Sequence, residues 1–333
     1  SNTTGEYNTF VGTQAGRTTL GGAYNVFMGT KTGYSNTSGS RNIFVGSATS
    51  TTNTDAAGYA NTIGSDNIFI GSQSGKSNIS GTDNIIQGTE SGKSITTGSK
   101  NIMLGSSAGA NMVTASQNII IGHLSGKNAR GNDNIMIGTN AGLNASGSKN
   151  LLIGSEAGRT SEGNDNVYIG YQAGKNIAGD NATGSGNVMI GQYIGKKIQG
   201  GSKNVLLGSG TSSISTGQEL VSGSDNIMIG YQVGKTLVEK NHNIFIGTHS
   251  GYSTRDGESN LFIGSKSGYT NITGAFNSFL GRKSGYSNTT GNDNTFVGYQ
   301  SGYSNTSGEQ NFNLGTDAGY SNTVGDGNMM MGF

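Results

Sequence analysis

One short pattern of apolar and polar positions recurs along the chain. An Asn is followed by three mostly apolar residues and a Gly, as in Asn67-Ile-Phe-Ile-Gly71. The pattern occurs nineteen times, first at Asn8 and last at Asn328, and its commonest spacing is 17 residues. A short fixed period predicts a single repeat array over residues 1–333, because each unit can bury its apolar face only against its neighbours.

Each repeat predicts two short strands and two turns. With the Asn as position 0, the three β-prone residues at +1 to +3 are too few for a helix and suit a strand. Gly at +4, usually repeated at +8, flanks a turn as in Gly71-Ser-Gln-Ser-Gly75, and a second, polar strand such as Tyr286-Ser-Asn-Thr-Thr290 follows. The predicted fold class is therefore all-β, a β-solenoid whose short coils stack about 4.8 Å apart.

The Asn at position 0 favours a structural role over a ligand role. In stacked coils identical Asn side chains lie above one another, so that each amide donates to the next and also satisfies backbone groups of the turns.

Position +2 is as apolar as its neighbours, although it points to the opposite side of the strand from +1 and +3. A strand that is apolar on both faces must be covered on both, and the inside of a two-strand coil covers only one. We therefore predict that the +2 column is an oligomer interface. The alternative is a wider, flattened coil that encloses +2 within one chain. The predicted interface residues are Phe10, Phe27, Phe44, Phe69, Met103, Met136, Met228, Phe245, Phe262, Phe279, Phe296 and Asn313.

Asn313 is the lone polar residue in that column. In a threefold assembly its copies would face one another near the axis. Because buried amides require partners, we expect them to bond each other, a water or an anion.

Composition narrows the function classes. The chain has 60 Gly, no Pro, no Cys and only 31% apolar residues, which alone would suit a disordered chain, but the strict period argues against disorder. The net charge of +1 provides no electrostatic footprint for nucleic acid or an anionic membrane. No stretch approaches 18 apolar residues, so direct membrane insertion is not expected.

Catalytic chemistry has little support in the sequence. The histidines His123, His242 and His249 have no Cys and no triad-like setting around them. The chain lacks both the Gly-Gly-x-Gly-x-Asp calcium signature and a phosphate loop ending in Gly-Lys-Ser/Thr. We therefore predict a protein that is not an enzyme and uses no metal or cofactor.

Position +9 is a candidate ligand surface. It holds aromatic residues toward the C-terminus, namely Tyr252, Tyr269, Tyr286, Tyr303 and Tyr320, and lysines earlier, namely Lys76, Lys93, Lys127, Lys175, Lys196 and Lys235. An outward Tyr ladder could stack on sugar rings or on other aromatic surfaces. The alternatives are rim packing for the Tyr residues and solubility for the Lys residues.

Three insertions, Ser47–Ala60, Lys175–Gly184 and Ser209–Ser222, interrupt the period. The first and third lose the Gly at +8, which predicts that a loop replaces the turn there. Insertions in a solenoid map to surface loops and often carry binding. The alternative is a tolerated surface bulge.

The repeated phrase Asn-Ile-Phe-Ile-Gly-x-x-Ser-Gly resembles the head repeats of YadA-like trimeric autotransporter adhesins, and it is similar to repeats of trimeric bacterial and phage tail-fibre-type β-rolls. The resemblance covers the whole chain. It implies a left-handed β-roll, a parallel homotrimer and an extracellular location on a cell surface or a virion-like tail fibre. It also implies attachment to a glycan or protein of a host or prey cell. Two features depart from the YadA-like pattern: the period is longer, and large residues occupy +2.

Two function classes therefore remain: an adhesive or receptor-binding fibre segment, and a structural stalk or spacer without a ligand of its own. Ice binding by a Thr-rich face is weakened by the lack of an unbroken Thr-x-Thr column. Both ends of the chain fall inside the repeat pattern, as Ser1-Asn-Thr-Thr-Gly5 matches Ser287-Asn-Thr-Thr-Gly291. We therefore expect a segment of a longer fibre protein.

Overall fold

The computed structural model describes residues 3–49, 53–175, 183–213 and 215–332, and the chain divides into two compact units, Ser1–Ser161 and Glu162–Phe333. All regular structure in the described residues is β-strand. The first unit contains β1 (Thr9–Val11), β2 (Val26–Met28), β3 (Ile43–Val45), β4 (Ile68–Ile70), β5 (Ile85–Gln87), β6 (Ile102–Leu104), β7 (Ile119–Ile121), β8 (Ile135–Ile137) and β9 (Leu151–Ile153). The second contains β10 (Val167–Ile169), β11 (Val188–Ile190), β12 (Val205–Leu207), β13 (Ile227–Ile229), β14 (Ile244–Ile246), β15 (Leu261–Ile263), β16 (Ser278–Leu280), β17 (Thr295–Val297), β18 (Phe312–Leu314) and β19 (Met329–Met331).

Within each unit every strand pairs in parallel with the next, residue for residue. Phe27 lies beside Phe44 in the first unit, and Phe245 lies beside Phe262 in the second. Parallel neighbours need a long connection between them, and the rest of each repeat supplies it. Each unit is thus a parallel β-solenoid, which confirms the predicted all-β solenoid class. The predicted second strand of each repeat is wrong, because residues 286–290 form turns and bends. A single array over residues 1–333 stays a prediction.

The +2 side chains form the core of the coils. The rings of Phe44 and Phe69 stack with centroids 4.7 Å apart, and both side chains are 0% exposed in the single chain. The predicted oligomer interface at +2 is therefore wrong, because a neighbouring chain cannot reach these residues. Full burial holds for Phe27, Phe44, Phe69, Met103, Met136, Met228, Phe245, Phe262, Phe279, Phe296 and Asn313, whereas Phe10 in the first coil is half-buried. The coil is wide enough to enclose +2, which was the alternative.

Two glycines in each regular coil are required by backbone geometry, as the coil of Phe245 shows. Gly247 at +4 has φ +129°, and a Cβ there would lie 2.6 Å from the carbonyl oxygen of Gly264 in the next coil. Gly251 at +8 has φ +56°, and its Cβ would lie 2.7 Å from the Phe245 ring. The first glycine permits close stacking of coils, and the second closes the turn over the core ring.

The Asn column forms the predicted ladder inside the coils. Asn42 donates from both its backbone N and its Nδ2 to Oδ1 of Asn25, at 3.0 and 3.1 Å. The same Nδ2 donates to the carbonyl of Gly64, which closes that coil, at 2.8 Å. Asn25 and Asn42 are both fully buried. The ladder therefore satisfies buried backbone groups at every coil boundary it crosses.

A second buried Asn ladder lies at +11, which the sequence analysis did not single out. Asn288 Nδ2 donates to Asn271 Oδ1 at 2.8 Å, and Asn305 Nδ2 donates to Asn288 Oδ1 at 2.9 Å. Asn36, Asn61 and Asn78 form the equivalent ladder in the first unit. The recurring Ser-Asn-Thr segment was the available signal in the sequence.

Positions +2 and +11 share the core volume. Coils with Phe at +2, such as that of Phe279, carry a small polar residue at +11, here Asn288. The coil with Met103 at +2 carries Met112 at +11 instead, and both sulfur atoms lie within 3.0 Å of where a Cβ on Gly109 would be. The two positions compensate for each other because a close-packed interior tolerates neither voids nor overlap.

Candidate interaction surfaces

The outward side chains of the strands form one apolar face on each unit, which we call the strand face. It consists of the residues at +1 and +3 of β1–β9 in the first unit and of β10–β19 in the second. All of them are apolar except Thr9, Gln87, Ser278 and Thr295. Ile43 is 40% exposed and Ile190 is 41% exposed, whereas the +2 residues of the same two strands, Phe44 and Met189, are buried. The triplet is therefore apolar on both faces, and the uncovered face is the outer one.

The strand face is large for a soluble surface. Nine strands at about 4.8 Å spacing, each three residues of about 3.3 Å long, cover roughly 400 Å² in the first unit. Exposed apolar patches of about 300–600 Å² are the largest on typical monomers and are often functional. The strand face of each unit is thus a large apolar surface that no described residue covers.

Two columns of partly or fully exposed residues border the strand face. At its start lies position −1, directly before the Asn, and at its end lies position +5, directly after the first Gly. Position −1 adopts a left-handed backbone conformation, with φ +58° at Asp165, +57° at Asp225 and +56° at Asp293. Short polar residues tolerate this conformation best, which explains the recurrence of Asp before the repeat Asn.

The five Tyr residues at +9 align as predicted, and we call them the Tyr column. Adjacent ring centroids are 5.1, 5.2, 5.0 and 4.9 Å apart from Tyr252 to Tyr320, and no pair of planes is inclined by more than 10°. The rings of Tyr269, Tyr286 and Tyr303 are therefore covered on both faces by their neighbours. A sugar ring cannot stack on those faces, so the column offers ring edges and hydroxyl groups.

Cations accompany the Tyr column. Lys235 Nζ donates to the Tyr252 hydroxyl at 2.9 Å, and Lys283 Nζ lies 5.7 Å from the centroid of the Tyr303 ring. Burial raises the pKa of the Tyr286 phenol above its ordinary value, and the neighbouring Tyr303 and Tyr269 raise it further. The column therefore presents neutral hydroxyl groups beside fixed positive charge.

The Lys residues at +9 do not form a uniform solvated stripe. Lys93 pairs with Glu90 at 2.7 Å, and that hydrogen bond holds the pKa of the Glu90 carboxyl below its ordinary value. Lys196 is only 5% exposed and donates to the carbonyl of Ser212 at 2.9 Å. Burial, reinforced by Lys175, lowers the pKa of Lys196. Solubility alone therefore does not account for this column.

In the first and third insertions a later Gly takes the place of the missing +8 Gly, so the turn is kept and the predicted replacement of the turn by a loop is wrong. Gly58 has φ +55° and packs on the ring of Phe44, as Gly251 packs on Phe245. Gly217 has φ +59° and takes the same place against Leu206. Each coil thus resumes its normal path after the inserted residues.

Hydrogen bonds and an ion pair hold the inserted segments. In the first, the Thr49 backbone N and hydroxyl both donate to the Asp55 carboxylate, at 3.0 and 2.9 Å. In the third, Lys197 pairs with Glu219 at 2.6 Å, and a small depression lined by Lys196, Ser212 and Gln218 lies beside it. Residues 50–52, 214 and most of the second insertion, 176–182, lie outside the described residues.

Asn313 lies inside its own coil and not at an axis between chains. Its side chain is 0% exposed, and neither Oδ1 nor Nδ2 has a hydrogen-bond partner among the described residues. It occupies the +2 column between Phe296 and Met330. The predicted bonding between copies of Asn313 is therefore wrong.

Within the described ranges no group of three His, Cys, Asp or Glu side chains is placed to hold a metal ion. No helix there is long and apolar enough to cross a membrane. His249 instead packs edge-on against Tyr231 and Tyr252, and burial lowers its pKa.

The chain was compared with protein-family models, curated proteins and solved structures, and none of them matches it. The surfaces themselves therefore carry the functional argument.

Proposed function

We propose that this chain is a self-associating segment of an extracellular fibre, in which copies pack as a parallel homotrimer through the strand face. The observation that carries the proposal is the burial pattern of the strands: +2 is buried within one chain, while the apolar +1 and +3 residues remain outside. A strand that is apolar on both faces requires a cover on both. A second and third copy of the same face provide a cover of matching length, spacing and chemistry.

A matched pair of exposed isoleucines tests this assembly. Ile263 is 36% exposed on the strand face, and Ile272 is 44% exposed on a different side of the coil. Ile263→Lys should convert the oligomer to a monomer, because several copies of a buried charge would be brought together without partners. Ile272→Lys should leave the oligomer intact. Light scattering that shows a monomer for the unaltered chain at micromolar concentration would overturn the proposal.

The best-supported role of such a fibre is attachment to a cell-surface glycan or protein, and the resemblance to adhesin and tail-fibre repeats favours the same role. The Tyr column offers hydroxyl groups at coil spacing with Lys235, Lys266 and Lys283 close to the rings. Many weak contacts to a repetitive ligand would add up through the repeat and through the oligomer.

A structural spacer is the second candidate, and a specific observation favours it. The inner ring faces of the Tyr column are covered by one another, so stacking already accounts for their alignment. A glycan array and a cell-binding assay distinguish the two roles. Changing Tyr269 and Tyr286 to Ser should abolish binding and leave the circular dichroism unchanged if the fibre is adhesive. Absence of binding by the unaltered oligomer would favour the spacer.

A further inference from the structure

The two borders of the strand face in the second unit carry complementary groups. Three coils there have Tyr at +5, namely those with Tyr171, Tyr231 and Tyr299. Each of the same three coils has Asp at −1, namely Asp165, Asp225 and Asp293. The six side chains are all exposed. A donor and an acceptor therefore lie at opposite ends of the same strand in each of these coils.

These groups cannot meet within one chain. Positions 0 and +4 alone are separated by about 13 Å, since a strand rises about 3.3 Å per residue. In the part of the second unit that the structure describes, the carboxylates of Asp165, Asp225 and Asp293 make neither a hydrogen bond nor an ion pair. Tyr231 contacts His249 edge-on and Tyr299 lies under Arg282, and neither contact uses the phenol hydroxyl. The Tyr171 hydroxyl accepts a hydrogen bond from Gln172 Nε2 at 3.2 Å, which leaves its proton free for donation.

A fourth coil carries a different complementary pair. Phe276 at −1 is 56% exposed and has φ +57°, an unusual conformation for a bulky residue. The same coil has Arg282 at +5, which is exposed. An aromatic ring and a guanidinium attract each other when the cation lies over the ring. In the four coils with Tyr or Arg at +5, the residue at −1 is thus complementary to it.

Rotational symmetry brings these borders together. When copies are related by rotation about an axis parallel to the stack of coils, their strand faces turn toward the axis and all strands run in the same rotational sense. The start of each strand then meets the end of the neighbouring copy's strand at the same level. Position −1 of one copy faces position +5 of the next in the same coil.

We propose that copies of this chain associate in register around such an axis, with Asp165, Asp225 and Asp293 of one copy accepting hydrogen bonds from Tyr171, Tyr231 and Tyr299 of the next. This inference rests on the proposed self-association through the strand face and adds its register and edge contacts. The apolar face is uniform along the stack and does not specify register. The Asp–Tyr pairs favour one register, because a shift of one coil toward the C-terminus places Asp225 beside Thr248 and Asp293 beside Thr316. The opposite shift places Asp225 beside Ser209 and Asp293 beside Arg282, so the Asp–Tyr pairs are lost in either direction.

Introduced cysteines test the register directly, since the chain has no native Cys. The test chain carries Asp225→Cys with Tyr231→Cys, and the matched control carries Asp225→Cys with Thr248→Cys, one coil out of register. A disulfide requires Cα atoms less than about 7 Å apart. In each pair the two cysteines lie at opposite ends of the strands, so neither pair can form a disulfide within a single chain. Mild oxidation should convert the test chain, and not the control, to a reducible covalent trimer on a denaturing gel.

Light scattering of the unaltered chain distinguishes a failure of the proposed self-association from a failure of the proposed register. A monomer would refute the proposed self-association itself. An oligomer that links the control pair, or links neither pair, would overturn the register and leave self-association in place.

A non-covalent measurement adds a readout that does not depend on oxidation. Tyr231→Phe removes only the hydroxyl, so it should weaken association about tenfold or more, as expected for a lost hydrogen bond to a carboxylate. Tyr320→Phe, in the Tyr column and away from the strand face, should leave the association constant unchanged. Equal constants for Tyr231→Phe and the unaltered chain would contradict the pairing.

Discussion

Gly251 closes its turn directly over the ring of Phe245. The glycine has φ +56°, and a Cβ at this position would lie 2.7 Å from Cδ2 and Cε2 of the ring. The two residues are six positions apart in the sequence, and the same contact recurs between Gly268 and Phe262 in the next coil. Because of this contact between glycine and ring, the width of the coil depends on the size of the residue at +2.

Gly251→Ala should therefore destabilise the second unit. The left-handed conformation alone costs an Ala residue about 1–2 kcal/mol, and overlap with the ring adds about 1–3 kcal/mol. Chemical denaturation followed by circular dichroism measures the change. Gly200→Ala is the control, because a Cβ there meets no atom within 4 Å. Equal midpoints for the two variants would contradict the packing described.

Asn313→Met should stabilise the protein. The side-chain amide of Asn313 is buried in the +2 column between Phe296 and Met330, with both polar atoms unpaired in the described structure. A buried unpaired polar group costs about 1–3 kcal/mol, and Met restores the apolar chemistry of the +2 column. Thermal unfolding should show a higher midpoint.

The opposite change in the unfolding midpoint is expected when an Asn of the position-0 ladder is replaced by Met. Asn277 accepts from Asn294 and donates to the carbonyl of Gly291 at 2.8 Å. Asn277→Met removes these bonds and leaves buried backbone groups unpaired, so its unfolding midpoint should fall. If both Asn→Met changes shift the midpoint in the same direction, the distinction between the two sites fails.

Phe262→Ala should lower the stability of the single chain. Phe262 is 0% exposed and stacks between Phe245 and Phe279, so the change leaves a cavity that costs about 3–5 kcal/mol. Because this cost arises within one chain, the loss should persist at protein concentrations where the chain is monomeric. A loss of stability that appears only in the oligomer would instead place Phe262 between chains.

The free energy of unfolding should fall at high pH because of the Tyr column. The pKa of Tyr286 is raised in the folded state, first by burial and then by Tyr303 and Tyr269. As pH rises past the ordinary Tyr value of about 10, the unfolded state therefore releases its proton before the folded state does. Stability that is fully present below that pH is then lost above it. Denaturation midpoints measured between about pH 8 and about pH 11 should fall less steeply for Tyr286→Phe than for the unaltered chain. Identical slopes would contradict the prediction.

The repeat itself could be predicted from the sequence because its signals are local. Asn at 0, an apolar triplet and Gly at +4 recur at nearly constant spacing, as in Asn243 to Gly247. Such a period requires each coil to repeat the last, which fixes short parallel strands in register and places Asn above Asn. The alignment of Tyr252 to Tyr320 followed from the same spacing.

The direction in which each strand faces was decided only by the tertiary structure. Ile244, Phe245 and Ile246 are all apolar, so the pattern alone cannot tell which of them points inward. The width of the coil decides it: Gly251 and the small residue at +11 leave room for one large ring, and that room holds Phe245. Packing therefore buries +2 within the chain and leaves +1 and +3 outside. The tertiary structure likewise showed that each Tyr ring covers the next, because the spacing and tilt of the rings cannot be obtained from the sequence.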